Sequence, residues 1–242
     1  MSDSKIIHLL SNPRNISTAL MYSFAQRSDT GVTDEPFYAY YLNLVPVLHP
    51  GREEVLASQP HTLPEIFDAI RTEAATHPVV FLKNMAHHLI QMDWDFMLPF
   101  SNILFIRDPK QIIASFSKVL EKPTMSDIGL EQQSRLFHFL NERLGHPPLV
   151  LEAGELLKNP EKILSDLCAA LEIPFEKNML RWDAGGRKED GVWAKYWYKN
   201  VHASTGFGQP PSGEIVLSEH GAELYEAALP HYQFLFDYAL KA

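Results

Sequence analysis

What this chain has least of is cysteine: Cys168 is the only one in 242 residues. A lone thiol closes no internal disulfide, so packing must hold the fold, which agrees with a reducing, cytoplasmic setting. Cys168 itself lies in the apolar pattern ILSDLCAALEI and reads as a core residue. Long hydrophobic runs are missing too, with none near the ~18 residues that a membrane span needs. The opening MSDSKIIHLLSNPR has an acid, one lysine and a short apolar run, which is not the makeup of a secretory leader. Internal repeats and low-complexity tracts are absent. Basic excess is missing as well. The net charge of -9 argues against a nucleic-acid partner, which favours a basic surface. One stretch inverts that balance. From Ser4 to Ser28 there is no acid, but there are Lys5, Arg14 and Arg27, a local positive patch able to draw in a small anion.

What is present is a globular composition, 45% hydrophobic, arranged as short apolar runs alternating with helical patterns. Residues 5–10, 31–33, 78–83, 102–107 and 147–153 read as strands. Residues 17–27, 63–75, 109–120 and 160–173 read as helices, three of them with proline near the start, where it is tolerated. Continuously apolar strands separated by helices predict an α/β fold, a three-layer sandwich whose parallel sheet is covered on both faces. Residues 40–62 and 122–133 read as long connections of the kind that wall a ligand site. The tail from about 176 shows no obvious strand. The expectation is one domain over 1–242, with 176–242 folding over the ligand site.

In such a sheet, ligands bind beyond the carboxyl ends of the strands. The segment LLSNPRNISTALMYSF runs from the first strand into a helix there, presenting backbone N–H groups and the positive end of the helix dipole. Ser17 and Thr18 can donate to phosphate oxygens, and Arg14 adds a charged fork suited to an oxyanion. Glycine is what this loop lacks. It is not the Walker pattern G-x-x-x-x-G-K-[ST], and the strand ILFIRD carries an arginine where a magnesium-holding acid would stand. The loop reads as built for a phosphorylated ligand that needs no metal.

SNPRNIST resembles the 5′-phosphosulfate loop of sulfotransferases, in the bacterial style P-R-[ST]-x-S-T. That resemblance implies a P-loop NTPase-like fold and 3′-phosphoadenosine 5′-phosphosulfate (PAPS) as sulfuryl donor, without metal. It carries donor binding onto Pro13, Arg14, Asn15, Ile16, Ser17 and Thr18, with Ile16 standing where glycine is common. FIRDPKQIIASF resembles the family's 3′-phosphate motif, implying Arg107 and Ser115 as the second anchor and leaving Asp108 as a turn residue. GGRKEDGVW is similar to the family's late loop over the donor and implies Arg187 and Lys188, although its glycine comes late, at Gly191. LVLEAGELLKNPEKILSDLCAALEIPF resembles, in part, a late structural strand and helix.

For catalysis the resemblance implies Arg14 on the departing phosphate and Lys83 on the sulfuryl oxygens. Where the family has K-T-H, this chain reads KNMAHH. The general base is open between Glu35, in a DEPF segment similar to that of bacterial carbohydrate sulfotransferases, and His87 or His88. The aromatic cluster WAKYWYKN either stacks on a ligand or packs as tail. The implied partner is a small-molecule acceptor, a carbohydrate or other metabolite with a hydroxyl or amine, and a homodimer is left open. Two other readings stand beside this one: a P-loop nucleotide kinase or hydrolase, and a non-catalytic binding protein of the same fold.

Overall fold

The strand KIIHLL is buried without interruption from Ile7 to Ser11, as expected of a strand covered on both faces. In this computed structural model, which describes residues 4–46, 49–210 and 213–242, it is β1 (Lys5–Ser11), the middle strand of five. There follow α1 (Ser17–Phe24), β2 (Thr30–Asp34), α2 (Tyr38–Leu44), α3 (Arg52–Ser58), α4 (Leu63–Thr76) and β3 (Val79–Met85). After β4 (Ser101–Ile106) come α5 (Pro109–Phe116), α6 (Met125–Ile128), α7 (Leu130–Leu144) and β5 (Leu149–Glu152). The chain ends with α8 (Ala153–Lys158), α9 (Pro160–Ala170), α10 (Ala194–Trp197), α11 (Lys199–His202) and α12 (Glu219–Phe236). The sheet is parallel, in the order β2-β3-β1-β4-β5, and helices flank it, as expected of the P-loop-like α/β class.

The chain divides into two compact units. The first holds the described residues up to Leu9, Ser17–Ser101 and Glu176–Phe207. Its β2 and β3 pair with Thr30 opposite Val79 and Asp34 opposite Lys83, a register that sets an acid and a lysine side by side at the strand ends. Tyr38, Ala39, Leu42, Val55, Trp193 and Tyr198 form one buried cluster in this unit, so the segment 176–207 packs into a core that α2 and α3 began. The second unit holds Leu10–Ile16, Asn102–Phe175 and Gly208–Ala242. There β4 and β5 pair with Ile103 opposite Leu149, α12 packs beside β5, and Ala239, just beyond α12, bridges to Val150. Cys168 is fully buried in this unit, on α9.

Four stretches differ from the sequence expectation. Residues 40–62 contain most of α2 and all of α3. The connection 122–133 holds α6, with a reciprocal cap between Thr124 and Asp127, and then the start of α7. Gly129, at φ 76, is the joint between those two helices, a conformation that favours glycine. The tail contains α12, an 18-residue helix masked in the sequence by Pro230 within it. Helix α1 stops at Phe24, and the Arg27 side chain turns to Asp29 and Glu176 instead of extending a helical face.

Candidate active site

The second unit contains a cationic cluster. Asp108 caps α5, accepting from the Lys110 N–H at 2.8 Å, and Pro109 occupies the first turn, so the chain leaves β4 and enters a helix directly after Arg107. Arg107 donates through Nε to Gln111 Oε1 at 2.9 Å and through Nη1 to the Arg14 carbonyl at 2.6 Å. Arg14 donates through Nε to Ser115 Oγ at 2.9 Å. Arg14, Arg107 and Ser115, drawn from two separate sequence motifs, are therefore one hydrogen-bonded group. Arg14 sits at φ 57, a left-handed conformation that a side chain-bearing residue adopts at a cost and keeps only when its surroundings fix it.

The loop is fixed partly by Asn15. Its Nδ2 donates to Asn12 Oδ1 and to the Phe105 carbonyl, both at 2.9 Å, and its Oδ1 accepts the Ile16 N–H at 2.8 Å. Asn15 thus spends its amide on shaping the loop. Gln133 adds Nε2 donation to the Leu10 and Phe105 carbonyls from α7. Pro13 and Ile16 are half-buried within this loop, and beyond it Ser17 is buried and Thr18 half-buried at the start of α1.

Electrostatics sets the two arginines apart. Burial lowers the pKa of Arg14. Burial also lowers that of Arg107; Glu152 opposes the shift and Arg14 adds to it. Neither guanidinium has a carboxylate within ion-pair distance among the described residues. Arg27, by contrast, is held by Asp29 at 2.8 Å and Glu176 at 3.5 Å. Two desolvated like charges in contact with the same loop call for an anion.

The first unit contains a second cluster, at the ends of β2 and β3. Lys83 is completely buried, and its ammonium donates to Asp34 Oδ1 at 2.9 Å, to Tyr198 Oη at 2.7 Å and to Glu35 Oε1. Those three bonds use all three protons of the ammonium. Burial alone would lower the Lys83 pKa, but Asp34 and Glu35 outweigh it and hold the group charged, well above its ordinary range. Glu35, 6% exposed and at φ 46, is pushed upward by burial; Lys83 pulls it back and Asp34 adds to the rise. Glu35 Oε2 lies 4.0 Å from Nδ1 of His88. His88 is buried and stacked on Tyr38, ring centroids 4.9 Å apart, and burial holds it well below the usual histidine range. Of the histidine pair, then, His88 is the one beside Glu35, while His87 is half-buried against the Tyr41 ring.

Tyr198, Trp193 and Asp34 complete this cluster; reading the sequence missed Asp34 and offered Trp193 and Tyr198 only as ligand stacking or tail packing. Tyr198 Oη accepts from Lys83 and from Trp193 Nε1 at 3.0 Å and donates to the Asp34 carboxylate at 2.7 Å. The Gly191 N–H donates to Asp34 Oδ2 at 3.2 Å. Within WAKYWYKN, Trp193 and Tyr198 are buried, while Tyr196 and Trp197 are exposed, so the cluster is divided between packing and surface. Arg187 pairs through Nε with Glu189 at 3.1 Å and lies over the Tyr22 ring at 5.8 Å; Lys188 extends into solvent.

The sulfotransferase domain family matches this chain over residues 4–239. The chain belongs to the sulfotransferase family. Among curated proteins it is similar to "Branched-chain-amino-acid aminotransferase-like protein 1" and "protein 2" of Arabidopsis thaliana, at 38% identity over 236 residues and 35% over 232. Those matches cover 97% and 96% of this chain but 42% and 41% of the plant proteins, so the chain spans well under half of their length. Among solved structures, a sulfotransferase domain from the curacin biosynthetic pathway superposes with a TM-score of 0.53 at 15% identity, covering 94% of this chain and 98% of that one. A sulfotransferase from Alicyclobacillus acidocaldarius gives a TM-score of 0.53 at 12% identity, covering 99% and 98%. At those identities the likeness to solved structures is one of fold. In the second unit the cationic cluster sits on the segments after β1 and β4, and in the first unit the carboxylate–lysine cluster sits at the ends of β2 and β3. No helix among the described residues is long and apolar enough to cross a membrane.

Proposed function

We propose that the chain transfers a sulfuryl group from PAPS to a hydroxyl or amine of a small acceptor, carbohydrate or other metabolite. One observation carries this reading: Arg14 and Arg107 are partly desolvated, joined through the loop, and without a carboxylate ion pair. A nucleotide charged at both ends would give that pair its counter-charge, its 5′ end on Arg14 and its 3′-phosphate on Arg107, with the Ser115 hydroxyl as a further donor. The residues present fit such a group, because Arg14 Nη1 and Nη2 and Arg107 Nη2 have no hydrogen-bond partner among the described residues. On the same reading, the loop backbone with Ser17 and Thr18 takes the 5′ end, and Arg187 and Lys188 extend the contact.

The donor supplies an activated sulfuryl group; the chain's own residues bind, orient and move the proton. The guanidinium of Arg14 stabilises negative charge growing on the departing phosphate. Glu35 takes the acceptor's proton, since burial brings its carboxylate nearer the working pH range and makes it a stronger base. Lys83 is read as the cation that holds Glu35, because its three protons are already committed. That revises the role expected for it on the sulfuryl oxygens. His88 supports Glu35 from the other side, and His87 is given no step.

Calorimetry tests this reading. Adenosine 3′,5′-bisphosphate should bind more tightly than ATP with Mg²⁺, and a preference for ATP–Mg²⁺ would overturn it in favour of a P-loop kinase. Sulfate transfer from PAPS to a panel of hydroxyl and amine acceptors then separates an enzyme from a binding protein.

A further inference from the structure

The buried cluster of the first unit contains one more acid than base among its side chains that are in direct contact. Asp34 and Glu35 follow one another at the end of β2, and both are bonded to the single ammonium of Lys83. The parallel register dictates this: Asp34 lies opposite Lys83, and the left-handed turn at Glu35 brings the next side chain back to the same ammonium. A carboxylate sharing its counter-ion with a second carboxylate keeps less of that ion's stabilisation, and so holds a proton more readily.

Asp34 is itself anchored. Its Oδ2 accepts from Tyr198 Oη at 2.7 Å and from the Gly191 N–H at 3.2 Å, and Tyr198 Oη is in turn fixed by Trp193 Nε1. These donors all come from the segment 176–207, and they give Asp34 a set of hydrogen bonds that Glu35 does not have. Glu35 is therefore the member of the pair placed to take up a proton, the direction in which burial and Asp34 push it.

The geometry points to Asp34 as a positioning residue that raises the basicity of Glu35 by dividing the charge of Lys83 with it, while Tyr198, Trp193 and Gly191 hold Asp34 in place. This rests on Glu35 being the general base. No covalent step is added. The acceptor O–H or N–H proton passes to Glu35 Oε, and Asp34 decides how firmly that oxygen holds it. The groups facing Glu35 are Asp34 from β2, Lys83 from β3, His88 from the turn after β3, Tyr38 from α2 and Tyr198 from the C-terminal segment; His49 and His87 act on His88.

Two variants and one titration test it. Glu35→Gln should abolish transfer while leaving bisphosphate binding intact; full activity in that variant overturns the base assignment itself. Asp34→Asn keeps the shape and most hydrogen bonds but removes the competing charge. The acidic limb of kcat/KM against pH should then move down by about one pH unit or more, with a lower plateau from the weaker base. An unmoved limb, with Glu35→Gln inactive, refutes the role of Asp34 and leaves the base standing. A residue that mattered for folding alone would change the amplitude without moving the limb. Should Asp34→Asn fail to fold, ¹³C NMR of the wild-type carboxyls decides the matter. The Glu35 signal should titrate above the ordinary glutamate range, and the Asp34 carboxyl carbon should report the same step through their shared ammonium. Silence at Asp34 through that step overturns the proposal.

Discussion

Replacing Arg107 by alanine removes more than one charge. Its Nη1 caps the Arg14 carbonyl at 2.6 Å, and Arg14 is held at φ 57 while its own Nε reaches Ser115. A charge-assisted hydrogen bond to a phosphate is worth about 1.5–3 kcal/mol. A left-handed residue that loses its restraint relaxes by roughly 1–2 kcal/mol, taking the Arg14 side chain out of place. The two effects together come to about 2.5–5 kcal/mol, or a weakening of roughly 10²–10⁴-fold at 1.4 kcal/mol per decade. Calorimetry with adenosine 3′,5′-bisphosphate and with adenosine 5′-monophosphate reads this directly. The variant should lose the whole of this for the bisphosphate and only the Arg14 share, roughly 1–2 kcal/mol, for the monophosphate, so the preference for a 3′-phosphate collapses. Equal losses for both ligands would place Arg107 elsewhere on the nucleotide. No loss for either would refute the anion-binding argument.

Lys83→Met leaves two buried carboxylates without their cation, and urea unfolding should show a loss of about 3–5 kcal/mol at neutral pH. That loss should shrink in acid, where the carboxylates protonate; a loss independent of pH would argue for packing instead. Asp108→Ala removes the cap of α5 and should cost about 1 kcal/mol by the same assay. No change would mean that Pro109 alone sets the helix start. Burial lowers the His88 pKa well below its usual 6.5, so the unfolded chain binds the extra proton first and stability falls as pH drops through that value. Denaturation at about pH 7.5 and about pH 5.5 should show a smaller acid loss in His88→Phe, which keeps the stack on Tyr38. An identical loss would assign the acid sensitivity to other groups.

The sheet was legible because its strands are continuously apolar. Burial on both faces imposes that pattern on strands such as PVVFLK and NILFIR. The segment after β1 and the pair Arg107 and Ser115 were legible because strand, loop and helix each leave a local signature at fixed spacing. The helices at 52–58 and 219–236 were hidden, the first in a stretch rich in proline and the second behind Pro230. Glu35 could be named from DEPF, but nothing near it in the chain marks Asp34 as its competitor or Tyr198 as their anchor.

By itself, then, the sequence determined which residues could meet an anion and on which strand ends they lie, because those properties depend on neighbours a few positions away. Tertiary structure decided what each one touches. The register of β2 on β3 placed one ammonium between two carboxylates, and a tyrosine 115 residues beyond Lys83 accepted its third hydrogen bond. Charge sharing in a buried site depends on distances across the fold, and local spacing carries no record of them.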